Sequence, residues 1–251
     1  MTRITAVAAI RGALVVLATF TLGACGFLPI TRLSSAGTDV LVQAPKPAPV
    51  DSDYHACGPS GSQPDYALNR RKNRVDTASQ YIPISWQTLA RLPFPRRVGY
   101  RFRNQWTSGE TADVARLEGA AIEVEGYIAS LKLETPEPPN CYSMDPRDRD
   151  YHLWLTEQPH QGKRESVVVE ITPRVRVSHN GWSEDRLRAL IETQVRVRLR
   201  GWLMLDQMHP ESMPWTRFTL WEMHPIMRIE WKSERGDWIP LDSLSPGAER
   251  P

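Results

Sequence analysis

From about residue 116 onward, apolar and polar positions alternate with period two, the pattern of strands that bury one face. Ala121-Ile-Glu-Val-Glu-Gly-Tyr-Ile-Ala-Ser130 sets Ile122, Val124, Gly126 and Ile128 against Glu123, Glu125 and Tyr127. Tyr151-His-Leu-Trp-Leu155 and Ser166-Val-Val-Val-Glu-Ile171 predict a second and a third strand. The period then changes to helical. Over 182–192, Leu187, Leu190 and Ile191 recur at helical spacing, with Ser183 as N-cap and acids in the first turn. Val195-Arg-Val-Arg-Leu-Arg-Gly-Trp-Leu-Met204 alternates again, so Arg196, Arg198 and Arg200 share one face. Thr219 to Trp231 predicts a fifth strand, with Pro225 arguing for an edge position or a bulge.

Three strands, a helix and two strands predict a mainly β fold: a five-stranded OB-like barrel with one helix between strands 3 and 4. Five strands with one apolar face each bury it best by closing on themselves; an open sandwich is the competing arrangement. Before the barrel, only Ser85 to Leu92 predicts a short helix, capped by Ser85 and stopped by Pro93. The rest of 54–114 reads as an irregular N-terminal extension, and 65–76 as polar and turn-rich. Residues 25–53, with Gln43-Ala-Pro-Lys-Pro-Ala-Pro-Val50, read as a proline-rich spacer. The domain boundaries are therefore 1–24, 25–53, 54–114, 115–232 for the barrel, and 233–251 for a C-terminal tail.

Residues 1–24 combine Arg3 and Arg11 with an apolar run from Ala13 to Leu22, about half the length a membrane span needs. The run ends in Leu22-Gly23-Ala24-Cys25, which resembles the lipobox of bacterial lipoproteins. The resemblance implies signal cleavage before Cys25 and acylation of its thiol, palmitate included. The chain would then sit as a lipid anchor on the exported side of the cell membrane, with an outer membrane favoured if two exist. Two or more acyl chains make such anchoring stable.

Export changes the reading of the other cysteines. Cys57 and Cys141 most economically form one disulfide in an oxidising compartment. It would close a loop of about 85 residues, nominally ~4 kcal/mol in the chain-entropy model. The alternative is two unpaired thiols.

Charge narrows the function classes. The 251 residues carry 31 cations against 29 acids, and removing 1–24 takes Arg3 and Arg11 and no acid, so the remainder is neutral. A globally basic nucleic-acid binder is not indicated. Locally, Arg70, Arg71, Lys72, Arg74, Arg91, Arg96, Arg97, Arg101 and Arg103 face Asp76 alone. With the Arg196, Arg198 and Arg200 ladder they make a candidate surface for an envelope polymer, anionic lipid or envelope protein. Single-stranded nucleic acid is a weaker partner, and a solvated face paired with acids elsewhere is the bland reading.

Candidate chemistry is sparse. No G-x-S-x-G elbow or P-loop occurs, and no catalytic residue is assigned. Alternation places His152, Glu222 and His224 on the faces opposite the apolar ones, pointing outward. Two imidazoles and a carboxylate suit zinc with an open fourth position, so a metal-dependent hydrolase is the alternative to a non-enzymatic binding or scaffold module. Otherwise no cofactor is expected.

Asp150-Tyr-His-Leu-Trp-Leu155, Trp221-Glu-Met-His-Pro-Ile226 and Leu68-Asn-Arg-Arg-Lys-Asn-Arg-Val-Asp76 together resemble motifs of bacterial exported proteins of unknown activity. That resemblance covers roughly 65–80 and 115–232. It implies an OB-like fold and no reaction.

Overall fold

The long strand β2 (Ala121–Leu133) bends across two neighbours, pairing with β3 (Tyr151–Thr156) along its second half and β5 (Val197–Leu205) along its first. β3 continues to β4 (Ser166–Ile171), β4 lies parallel to β6 (Trp221–Lys232), and β6 returns antiparallel to β5. The order β2-β3-β4-β6-β5-β2 closes, leaving no free edge among these five strands. This is the five-stranded OB-like barrel. The computed structural model describes residues 36–93 and 102–243. Residues 1–24, Cys25, Arg96, Arg97, Arg101 and 244–251 lie outside the described residues.

Inside the barrel, Ile122, Val124, Ile128, Leu153, Leu155, Val167, Val169, Leu199, Met223 and Ile229 form one apolar core. After the short α5 (Pro173–Arg176), the predicted helix is α6 (Glu184–Thr193), N-capped by Ser183 and burying Leu187 and Leu190. Burying a side chain of that size is worth ~1.5–3 kcal/mol against leaving it in water.

Pro225 sits in a bulge, not at an edge. Gly201 pairs with Ile226 and Leu203 with Met223, so β6 carries an extra residue where β5 advances two. β6 is flanked by β4, β5 and β7 (Trp238–Pro240). The start of the C-terminal tail is thus part of the sheet, with Leu241 buried behind it.

The extension is more ordered than its composition predicts. β1 (Ile82–Pro83) runs parallel to β2, and α3 (Trp86–Arg91) is capped by Ser85 as expected. Three further helices appear: α1 (Ala36–Gln43), α2 (Tyr66–Lys72) and α4 (Ser108–Ala115). Asp65 caps α2 by accepting from Leu68 N, and Thr107 with Glu110 forms a capping box on α4. α1 lies in the expected spacer, yet Leu41 is fully buried and Lys46 Nζ caps the helix end by donating to three carbonyls. Asp65, Thr107 and Lys46 therefore do locally what apolar periodicity does in α6.

Candidate functional site

The parallel register of β4 and β6 sets Val169 beside Met223 in the core. One residue further along each strand, Glu170 and His224 meet on the opposite face. Antiparallel pairing places His152 of β3 directly across from Glu170. These residues do not face solvent, which corrects the outward placement: His224 and Glu222 are at most 1% exposed and His152 9%. The extension and the loops at 134–150 and 206–220 cover this face of the barrel. Asn140 Nδ2 donates to Asp150 Oδ1 at 2.8 Å, Lys72 Nζ of α2 stands 3.8 Å from Glu222 Oε1, and an Arg217 amino group stands 3.6 Å from Glu222 Oε2.

The three motif segments thus converge, α2 supplying Lys72, the entry to β3 supplying Asp150 and His152, and β6 supplying Glu222 and His224. His224 Nδ1 lies 3.2 Å from Glu170 Oε2 and 3.4 Å from Glu222 Oε1, and its Nε2 lies 3.6 Å from Asp150 Oδ2. His152 Nδ1 turns to Glu134 at 3.0 Å and Glu170 at 3.4 Å. Of the expected set His152, Glu222 and His224, the structure brings Glu222 and His224 into contact and gives His152 to Glu134. The tightest metal-competent group is instead Asp150, Glu170 and His224, with one donor atom of each within 4.8 Å of the others. Asp150 opens the Asp150–Leu155 motif, and nothing in the pattern distinguishes it as a ligand. Glu170 is not among the sequence candidates, and its one signal is a lone acid inside the apolar run of β4.

Burial and mutual repulsion sort the protons. Burial, then the Glu222 charge, pushes the Glu170 carboxyl well above the usual carboxylate range. Burial acts the same way on Glu222, but Lys72 and His224 outweigh it and hold that carboxyl low. Burial opposes the Lys72 ammonium; Glu222, Glu170, Asp206 and Glu137 more than restore it, keeping it charged. Glu134 is buried, yet hydrogen bonds from His152 and Lys132 hold it at about 2. Burial lowers His152 against the pull of Glu134.

A cleft of about 230 Å³ opens beside this cluster, between α2, Glu137 to Pro139 and Asp206 to His209. Lys72 forms part of its lining. Burial, opposed by Lys72 and supported by Asp150 and Glu134, raises Glu137 in its wall to about 7. Gln207, also in the wall, is fully buried, and neither of its amide atoms has a hydrogen-bond partner.

Seven of the basic residues are paired. Arg70 binds Asp51, Arg71 binds Glu118, Lys72 faces Glu222, and Arg74 binds Asp76. On the ladder Arg196 meets Glu125, Arg198 meets Glu230, and Arg200 meets Glu123. The register requires it, since Arg200 stands opposite Glu123 and Arg198 stands between Glu125 and Glu230. Cys57 and Cys141 form the disulfide. No helix among the described residues is long and apolar enough to cross a membrane. No protein-family model, curated protein or solved structure matches the chain.

Proposed function

We propose that this chain is an exported lipoprotein, anchored through acylated Cys25, whose OB-like barrel is a non-enzymatic binding module of the cell envelope. Its ligand seat is the cleft beside Lys72. OB barrels take oligosaccharides and oligonucleotides between the loops that follow strands 1 and 4. Here those loops are 134–150 and 206–220, and α2 lies across them. The observation that carries the reading is this cleft, the part of that region α2 leaves open, lined by Lys72, Glu137, Asp206, Gln207 and His209. Its volume takes one sugar-sized unit, such as the end of an envelope glycan, and no extended strand. The sealed Asp150, Glu170 and His224 offer no open position to a substrate, which counts against the hydrolase reading.

Titrating the purified mature protein calorimetrically with cell-wall glycan fragments of one to four sugars tests the seat. Binding should occur and be lost in the Glu137→Gln, His209→Ala double variant; heat absent with every fragment, or unchanged by the variant, rejects the seat. The anchor is tested by feeding labelled palmitate. Label is expected on the wild type and not on Cys25→Ser, which should leave the membrane fraction.

A further inference from the structure

We propose that Asp150, Glu170 and His224 together hold one divalent ion of the zinc class under the covered face of the barrel. This stands independently of the glycan seat, which uses other side chains. Two carboxylates are buried here with no lysine or arginine within ion-pair distance among the described residues. The cationic candidates beside them are imidazoles, His224 for both and His152 for Glu170. The positive charge Lys72 and Arg217 bring to this region is directed at Glu222 and Asp206.

His224 supplies the second observation. It is fully buried, and neither ring nitrogen makes a hydrogen bond, although carboxylate oxygens lie 3.2 to 3.6 Å away. Asp150 Oδ2 and Glu170 Oε2, the oxygens turned towards the ring, are equally without partners. A buried polar atom left unpaired is costly, and here the imidazole and one oxygen of each flanking carboxylate are all left unpaired. Ligand atoms about 2.0–2.1 Å from a tetrahedral zinc stand about 3.4 Å apart. An ion binds one ring nitrogen, so one carboxylate already stands at that spacing, 3.2 Å from Nδ1 for Glu170 or 3.6 Å from Nε2 for Asp150, and the other, within the 4.8 Å limit of the set, closes by side-chain adjustment.

The neighbours are arranged as outer groups of a metal site. Asn140 holds the other oxygen of Asp150, and His152 contacts the other oxygen of Glu170, fixing the direction each carboxylate presents. Glu222, held between Lys72 and Arg217, borders His224 without needing a metal for charge balance. One imidazole with two carboxylates suits zinc, manganese or iron, and the absence of thiolate from the set disfavours copper(I).

The experiment uses the mature full-length chain, stripped with a chelator and reloaded with zinc chloride. After desalting, mass spectrometry should find close to one zinc per chain. A hundredfold excess of zinc over its Kd should raise the melting temperature by roughly 5–10 °C. Glu170→Gln keeps the shape and replaces a carboxyl whose charge burial already disfavours, so in chelator it should melt no lower than the wild type while retaining no zinc. Cobalt(II) gives a reading that needs no variant, since uptake by the wild type should produce the visible absorption of a low-coordinate nitrogen and oxygen site. A wild type that retains no zinc and shows no cobalt absorption overturns the proposal. So does a Glu170→Gln protein that loads zinc as the wild type does.

Discussion

Arg74 lies over the indole of Trp202, its guanidinium carbon 3.4 Å from the ring centroid, while Nε and an amino group hold both oxygens of Asp76. The side chain is 3% exposed, so this cation is sandwiched between the extension and β5. Only a planar, multiply donating cation serves both partners. Arg74→Ala should cost about 2–4 kcal/mol in urea denaturation, because Asp76 loses its partner and Trp202 its cover. Arg74→Lys should recover no more than about half, since an ammonium cannot stack and bind bidentately together. A lysine variant as stable as the wild type would show that charge alone matters here.

The Cys57–Cys141 bond ties the extension to the loop before β3 across 84 residues. Arg174, just after β4, holds the same segment of the extension at a second point by donating to the carbonyls of Ser52, Cys57 and Gly58. Replacing both cysteines with serine should therefore lower stability by about 2–4 kcal/mol yet leave the extension docked. Denaturation midpoints give the first quantity, and proteolysis after Arg70 or Arg71 gives the second.

Gly201 faces the Pro225 bulge so closely that an added Cβ would collide with the Pro225 carbonyl and the Met223 side chain. Gly201→Ala should cost at least about 2 kcal/mol, because both obstacles belong to the barrel wall. Gly162→Ala meets only Glu165 Oε2 at ordinary contact distance and should change stability by less than about 1 kcal/mol. Paired chemical melts of the two variants measure the contrast.

Asp206 accepts from His209 at 2.9 Å and from Arg217 at 3.1 Å. Burial opposes its charge, but the His209 hydrogen bond, Arg217 and Lys72 outweigh burial and hold the carboxyl far below its usual range. That stabilisation is full above about pH 4 and is lost as pH falls towards the folded-state value. His209 is raised by the hydrogen bond to Asp206 against burial, so its share is full below about pH 6.5 and lost as pH rises past its folded value. Urea midpoints of the wild type and Asp206→Asn should thus differ most between about pH 4 and 6.5. A gap that is constant from pH 3 to 9 would remove both groups from the account.

The barrel is legible because β2, β3, β5 and β6 carry period-two patterns, β4 a short apolar run and α6 a 3.6-residue pattern, all answering to a single core. α2 and α4 are not. They bury Leu68 with Asn69, and Val114, too little apolar surface to show periodicity, and their start signals are single capping residues. The site was half legible. Sequence alone selects Glu222 and His224 as polar residues on strands, but strand order decides their partner. With β4 lying between β3 and β6, Glu170 becomes the residue that joins them. Period two also says which side of a strand a residue takes, and nothing about whether an extension covers that side.

The arginine ladder permits a last expectation. Arg200 Nε is 2.5 Å from Glu123 and Arg198 is 2.7 Å from Glu230, so the face formed by β2, β5 and β6 carries its positive charge already compensated. Replacing Arg196, Arg198 and Arg200 with glutamine should then leave retention on anionic vesicles unchanged, because the charges removed were not available to lipid. Glu123→Gln with Glu125→Gln should do the opposite, freeing arginines and creating salt-sensitive retention. A double-mutant cycle on Glu123 and Arg200 should return a coupling of about 0.2–1 kcal/mol, the range for cross-strand ion pairs. Vesicle retention that falls with the triple arginine variant would mean the ladder engages lipid despite its acids, and the neutral-face argument would have to be abandoned.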